Sequence, residues 1–133
     1  MPSLRDVNND DLSRIEKLPD PLNRRARHVV TENARVVAAV EALTSGDLRK
    51  VGQLFSASHA SLRADFEVSV PAVDALVDGV RTMDGVFGAR LTGGGFGGAI
   101  VALTRRGTAR ATGQALIVEH NRRFPNRATI VVP

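Results

Sequence analysis

At 133 residues, with no cysteine, tryptophan or tyrosine, the chain is the size of one domain and can form neither a disulfide nor a thiolate metal site. Its 43% hydrophobic and 24% charged composition is ordinary for a soluble globular fold, and no apolar run approaches the ~20 residues of a membrane span. The net charge of +4 rests on arginine, with Lys17 and Lys50 the only lysines; the arginines are interleaved with acids and lack stacking aromatics, which argues against a nucleic-acid surface.

The opening MPSLRDVNNDD has no apolar segment, so no secretory leader is expected, and the lack of cysteine fits a cytoplasmic protein. Residues 8–18 read as a short helix, with Asn8 as N-cap, Asp11 at N3, Leu12, Ile15 and Leu18 on one face, and Pro19 as its stop. Asp20-Pro21 predicts the start of a second helix, an acid at the N-cap and proline at N1. It runs to Ser45, with Gly46 beyond its end and an apolar face of Leu22, Ala26, Val29, Val30, Val36, Val37, Val40 and Leu43. Asp47 caps a third helix, residues 48–63, buried through Leu48, Val51, Leu54, Phe55 and Leu62; the two long helices form an antiparallel pair. Residues 66–70 form an extended link, and Pro71 opens a fourth helix through Val73, Leu76, Val77 and Val80. Strands follow at 86–91 and 98–104, then a helix from Gly107 or Thr108 to about residue 124, then a strand at 128–132. The fold class is therefore α+β: a helical pair followed by most of a ferredoxin-like split βαβ unit with an antiparallel sheet.

The segment LTGGGFGGAIVAL places five glycines in the six positions 93–98. Gly93, Gly95 and Gly98 satisfy G-x-G-x-x-G, but the apolar, β-branched run after them reads as a strand, where a dinucleotide site needs a helix. Gly93 and Gly98 also fit a P-loop, yet Ala99 and Ile100 stand where its lysine and hydroxyl belong. A hairpin remains, with more glycine than a tight turn requires; the surplus marks a close approach of another backbone or a ligand. His28, His59 and His120 are widely spaced without i,i+4 partners and are read as surface or capping residues, with no metal site. Ser58 and His59 are helix neighbours about 100° apart, not a nucleophile and its base. Asp74 and Asp78 share a helix face that could hold a cation, but a solvated acidic face explains them as well and is far commoner.

Three stretches carry more than pattern: RRARHVVTENARV (24–36), SHASLRADFEVSVPAVDALV (58–77) and GVFGARLTGGGFGGAIVAL (85–103). In this order and spacing they resemble the C-terminal half of the galactokinases, sugar kinases of the GHMP superfamily, and LRDV at 4–7 is similar to the opening of that region. The resemblance covers nearly the whole chain; galactokinases usually have cysteine where this sequence has Val70 and Ala99, neither a catalytic position. It implies that residues 1–133 are a GHMP kinase C-terminal domain. It further implies that Thr92, Gly93, Gly94, Gly95, Phe96, Gly97 and Gly98 support the ATP phosphate loop and wall the sugar pocket. No catalytic residue and no metal ligand is implied in this chain. The motifs G-R-x-N-x-I-G-E-H-x-D-Y and P-x-G-x-G-L-S-S-S-A, which belong to the N-terminal kinase half, are not in it.

For the full-length enzyme the resemblance implies ATP and Mg, and transfer of the γ-phosphate to the C1 hydroxyl of galactose; the isolated chain is expected to be inactive. The implied partners are the missing N-terminal half, galactose and ATP, with no nucleic acid and no membrane. The interdomain face would be open to self-association. The rival readings are another GHMP kinase, acting on N-acetylgalactosamine, arabinose, mevalonate or homoserine, and a non-catalytic ligand-sensing or regulatory module.

Overall fold

The structure is a computed structural model that describes residues 3–125 and 127–132. Its first elements follow from local capping. The Asn8 side chain accepts from the Asp10 amide at 2.8 Å and Asp11 accepts from the Asn8 amide at 3.4 Å, which satisfies the donors of a 3-10 turn, Asn9–Asp11. The turn runs into α1 (Leu12–Ile15), whose Ile15 is buried with Ala26 and Val30 beneath Val7 and Leu12.

The long helix α2 (Leu22–Thr44) and α3 (Leu48–Ala64) are joined by Gly46 at φ +75°, a left-handed C-cap conformation that costs glycine nothing. Asp47 then accepts from the Lys50 amide at 3.0 Å and caps α3 as expected. The start of α2 differs from the expectation. The Asp20–Pro21 peptide is cis, Pro21 precedes the helix, and the Asp20 carboxylate caps nothing because Arg24 Nε takes it at 2.6 Å.

α4 (Pro71–Arg81) starts at its proline and buries Val73, Val77 and Val80. Val77 and Val80 pack on Ala89 of β1 (Val86–Thr92), with Met83, Ile100, Ala102 and Leu116 around them. Each fully buried valine contributes roughly 1.5–3 kcal/mol of transfer free energy. β2 (Ala99–Thr104) pairs antiparallel with β1, Leu91 opposite Ile100 and Thr92 opposite Ala99, with a bulge between Val86 and Gly88. α5 (Ala109–Arg123) packs against α4, where Leu116 Cδ1 lies over Gly79. The architecture is α+β, helices on a two-stranded antiparallel sheet, and no helix of the described residues is long and apolar enough to cross a membrane.

Three expectations are corrected. Residues 128–132 form no strand: both backbone groups of Ala128 are bound by the Asn121 side chain, at 2.7 and 3.3 Å, and Ile130 lies on Gly113 of α5. The segment is thereby tied to α5. On α2, the buried positions are Ala26, His28, Val30 and Ala42, whereas Leu22, Val36, Val37, Val40 and Leu43 are exposed, Val37 and Val40 by 60%. Leu48 of α3 is also exposed, and α3 buries polar Ser58, His59 and Ser61 beside Val51. Periodicity identified an apolar stripe on α2, but α3 covers a different side of that helix.

The packing of α3 on β1 depends on two glycines. A Cβ on Gly52 would fall within the carbonyl group of Phe87, and one on Gly88 within the backbone of Gly52. Helix and strand therefore touch backbone to backbone, which sets the height of the sheet against α3.

Candidate functional site

The hairpin connection between β1 and β2 is residues 93–98, and its backbone explains much of its composition. Gly93, Gly95, Gly97 and Gly98 have φ of +85°, +86°, +124° and +85°, and Phe96 shares the left-handed region at +58°. Such a run of positive φ is accessible to glycine and costs other residues of order 1 kcal/mol each. Phe96 is 74% exposed, a bare aromatic ring at the tip of the bend.

What packs on the loop is this chain's own α3–α4 connection. The Phe96 amide donates to the Val68 carbonyl at 2.6 Å, and a Cβ on Gly95 would lie 2.6 Å from Val68 Cβ and 2.7 Å from its carbonyl oxygen. Around Gly93, Gly94, Gly97 and Gly98 an added Cβ would meet nothing within 4 Å. The loop is thus seated on Val68 at Gly95 and Phe96 and is open at Gly93, Gly94, Gly97 and Gly98.

The connection is itself held by arginines. Arg24 bonds Asp20 at 2.6 Å, Glu67 at 2.9 Å and the Ala64 carbonyl at 3.1 Å. Arg25 bonds Glu67 at 2.6 Å and the Asp65 carbonyl, while Arg27 bridges Glu16 and Asp65, each at 2.7 Å. Hydrogen bonds from Arg24 and then Arg25 hold the Glu67 carboxyl below the usual range, and that of Arg27 does the same for Glu16. Glu67 sits at φ +58°, so the paired arginines fix a residue in a conformation it would not choose alone. The arginine cluster is thus spent on acids and carbonyls of this chain.

Between α2, α3 and β1 lies a polar cluster. Ser58 Oγ donates to Glu32 at 2.6 Å, Arg35 Nε donates to Glu32 at 2.7 Å, and Arg90 Nη2 lies 3.7 Å from the same carboxylate. Arg90 Nε is buried without a partner among the described residues. His28 stacks on Phe66 with centroids 4.7 Å apart, and its Nδ1 meets Ser61 Oγ at 2.9 Å.

Burial holds His28 below its ordinary 6.5. For Glu32, burial would raise the carboxyl, but the bonds from Ser58 and Arg35 and the charges of Arg35 and Arg90 outweigh it, and the group lies below 4.5. Both folded values lie under the unfolded ones, so both contributions are present at high pH and are lost on acidification. The melting temperature is expected to fall first as pH drops through about 6.5 and again below about 4.5. A thermal melt series from pH 8 to pH 3 checks this, with His28→Gln expected to flatten the first decline.

The histidines are the clearest correction. His28, His59 and His120 are all buried, not surface or capping residues. His59 Nε2 lies 3.0 Å from Asp74 Oδ1, and its Nδ1 accepts from the Leu91 amide at 3.2 Å. His120 stacks on Phe124 at 4.7 Å. As expected, Ser58 and His59 point to different partners, Glu32 and Asp74. Asp74 is taken up by neighbours within the chain: beside His59, Ser69 Oγ donates to it at 2.6 Å and Arg63 lies 3.6 Å away. Among the described residues no three His, Cys, Asp or Glu side chains are grouped to hold a metal ion.

Of the expected site residues, Thr92 ends β1 and the remaining six form one continuous bend. Sequence reasoning missed the residues that hold this bend: His59, Val68 and the Gly52–Gly88 contact. The mid-element glycines were a usable signal for the last; the other two depend on contacts distant in sequence.

The family of GHMP kinases, C terminal, matches residues 39–121. The crystal structure of Lactococcus lactis galactokinase complexed with galactose is similar over 97% of this chain, with a TM-score of 0.88 and 35% identity. That of L. major mevalonate kinase in complex with R-mevalonate is similar over 90%, with a TM-score of 0.63 and 30% identity. The chain spans only 34% and 35% of those two proteins. With the matched segment running from the last two turns of α2 almost to the end of α5, through the glycine bend and both strands, the chain belongs to the GHMP kinase C-terminal family.

Proposed function

We propose that this chain is the C-terminal domain of a galactokinase, contributing to transfer of the ATP γ-phosphate to the C1 hydroxyl of galactose. The observation that carries this reading is the closeness of the fold to the galactose-bound kinase, TM-score 0.88 against 0.63 for the mevalonate kinase, together with a glycine bend that is open at Gly93, Gly94, Gly97 and Gly98. In this reading Thr92, Gly93, Gly94, Gly95, Phe96, Gly97 and Gly98 are wall and support. The bare backbone at Gly93, Gly94, Gly97 and Gly98 lets a phosphate-gripping segment from outside these residues approach there without meeting a Cβ.

Phosphoryl transfer depends on positioning and on charge neutralisation around the γ-phosphate. In this reading the chain contributes to the first: Arg24, Arg25 and Arg27 are taken up by its own acids and hold the turn beneath the bend. The other two-thirds of the kinase would bring the base, the nucleotide loop and the sugar contacts. The chain alone is therefore expected to show no phosphorylation of galactose with Mg-ATP, and activity is expected on addition of the complementary N-terminal portion. Turnover by the chain alone overturns the division of labour. A completed enzyme that prefers mevalonate over galactose overturns the substrate.

A further inference from the structure

Leu91 is the last buried residue before the glycine bend, and its amide hydrogen is taken up by a side chain, not by a strand. The acceptor is His59 Nδ1 at 3.2 Å, so this nitrogen carries a lone pair and the ring proton sits on Nε2. That proton is donated to Asp74 Oδ1 at 3.0 Å. Asp74 is held in turn by the Ser69 hydroxyl at 2.6 Å and flanked by Arg63 at 3.6 Å. One imidazole thus links α3, α4 and the end of β1. Nearby, the segment that follows α3 binds the far side of the bend through Val68 and Phe96. The bend is gripped at its entry by a side chain and at its tip by a carbonyl, both from residues 59–68.

We propose that His59 is a positioning residue for the glycine bend: its Nδ1 fixes the Leu91 amide and so the direction in which Thr92 to Gly98 leave the sheet. Its catalytic consequence rests on the kinase reading above; its structural consequence does not. The two ring nitrogens can be replaced one at a time. In His59→Asn the amide oxygen can occupy the place of Nδ1 and accept from Leu91, with the donor to Asp74 lost. In His59→Gln the terminal amide nitrogen can reach the place of Nε2 and donate to Asp74, with the acceptor for Leu91 lost.

The first readout is native-state amide exchange of Leu91 relative to Ala89, a buried neighbour on the same strand, in this chain alone. The ratio is expected to rise about tenfold in His59→Gln, the size of one lost buried hydrogen bond, and to stay within about threefold of wild type in His59→Asn. The second readout is phosphoryl transfer in the completed enzyme, where kcat is expected to fall about tenfold for His59→Gln with KM little changed, and to be largely restored in His59→Asn. Equal exchange ratios and equal kcat in the two variants overturn the proposal, since a core histidine with no directional role predicts that outcome. If neither variant folds, Asp74→Ala frees the ring without touching β1, and an unchanged Leu91 ratio there overturns it as well. An inactive wild-type enzyme overturns the kinase reading and leaves the exchange result to decide the role of His59.

Discussion

Gly52→Ala is expected to destabilise the chain by about 3 kcal/mol or more, measured by chemical denaturation. Two effects oppose each other. Alanine in a helix interior is favoured over glycine by about 1 kcal/mol. Against that, the new Cβ would occupy the carbonyl of Phe87, which is backbone at a β-bulge and cannot rotate aside as a side chain could. Overpacking of this kind costs typically 1–3 kcal/mol and more where backbone must move, so the clash wins. The strand would be pushed off α3, and Val51 and Leu91, both buried, would lose packing with it. Gly88→Ala is expected to behave alike, because its Cβ would meet the Gly52 backbone from the other side. Gly94→Ala provides the control: nothing lies within 4 Å of its added Cβ and its φ is not positive, so a change within about 0.5 kcal/mol is expected. A Gly52→Ala protein as stable as wild type would mean that α3 and β1 do not touch as described.

The parts of this fold that were legible in the sequence are those decided within a few residues. Asn8 with Asp11, Gly46 and Asp47 all act on backbone groups within one turn of themselves, so residue type and spacing were enough. The cap assigned to Asp20 failed because Arg24, one turn away, competes for the same carboxylate. Apolar periodicity showed which side of α2 is apolar at Val36, Val37 and Val40; whether another element covers that side is a question about neighbours. The same limit applies to residues 128–132, whose β-branched composition favours a strand only where a partner offers a ladder.

For the candidate site, the glycine spacing located the bend and its surplus pointed to a close approach. It did not reveal that Gly95 is required by Val68 while Gly94 faces open space. The histidines were misread because burial of an imidazole depends on partners such as Asp74 and Leu91, 15 and 32 residues away from His59. The three stretches that carried the family resemblance prove to be one mechanical unit. Arg24, Arg25 and Arg27 hold the turn at Asp65 and Glu67, that turn presents Val68, and Val68 seats the bend.

Gly95→Ala tests the last link of that unit and is expected to reduce both stability and activity. Its φ of +86° costs an alanine roughly 1–2 kcal/mol. Its Cβ would stand 2.6 Å from Val68 Cβ and 2.7 Å from the Val68 oxygen, so the bend must lift and the Phe96 amide must release that carbonyl. A loss of about 2–3 kcal/mol in denaturation is expected from strain and overpacking together. In the completed kinase the lifted bend would displace whatever it supports by the better part of an ångström, and misplacement on that scale lowers transfer about a hundredfold. Gly94→Ala separates support from approach. It leaves the seat on Val68 intact, so stability should hold, yet it adds a methyl group to the face on which the nucleotide segment is proposed to rest. A loss of about tenfold in kcat/KM without loss of stability is expected there, equivalent to about 1.4 kcal/mol of transition-state binding. Full activity in Gly94→Ala, beside a Gly95→Ala that is merely unstable, would mean that the bend serves the fold alone and that nothing outside the chain comes down upon it.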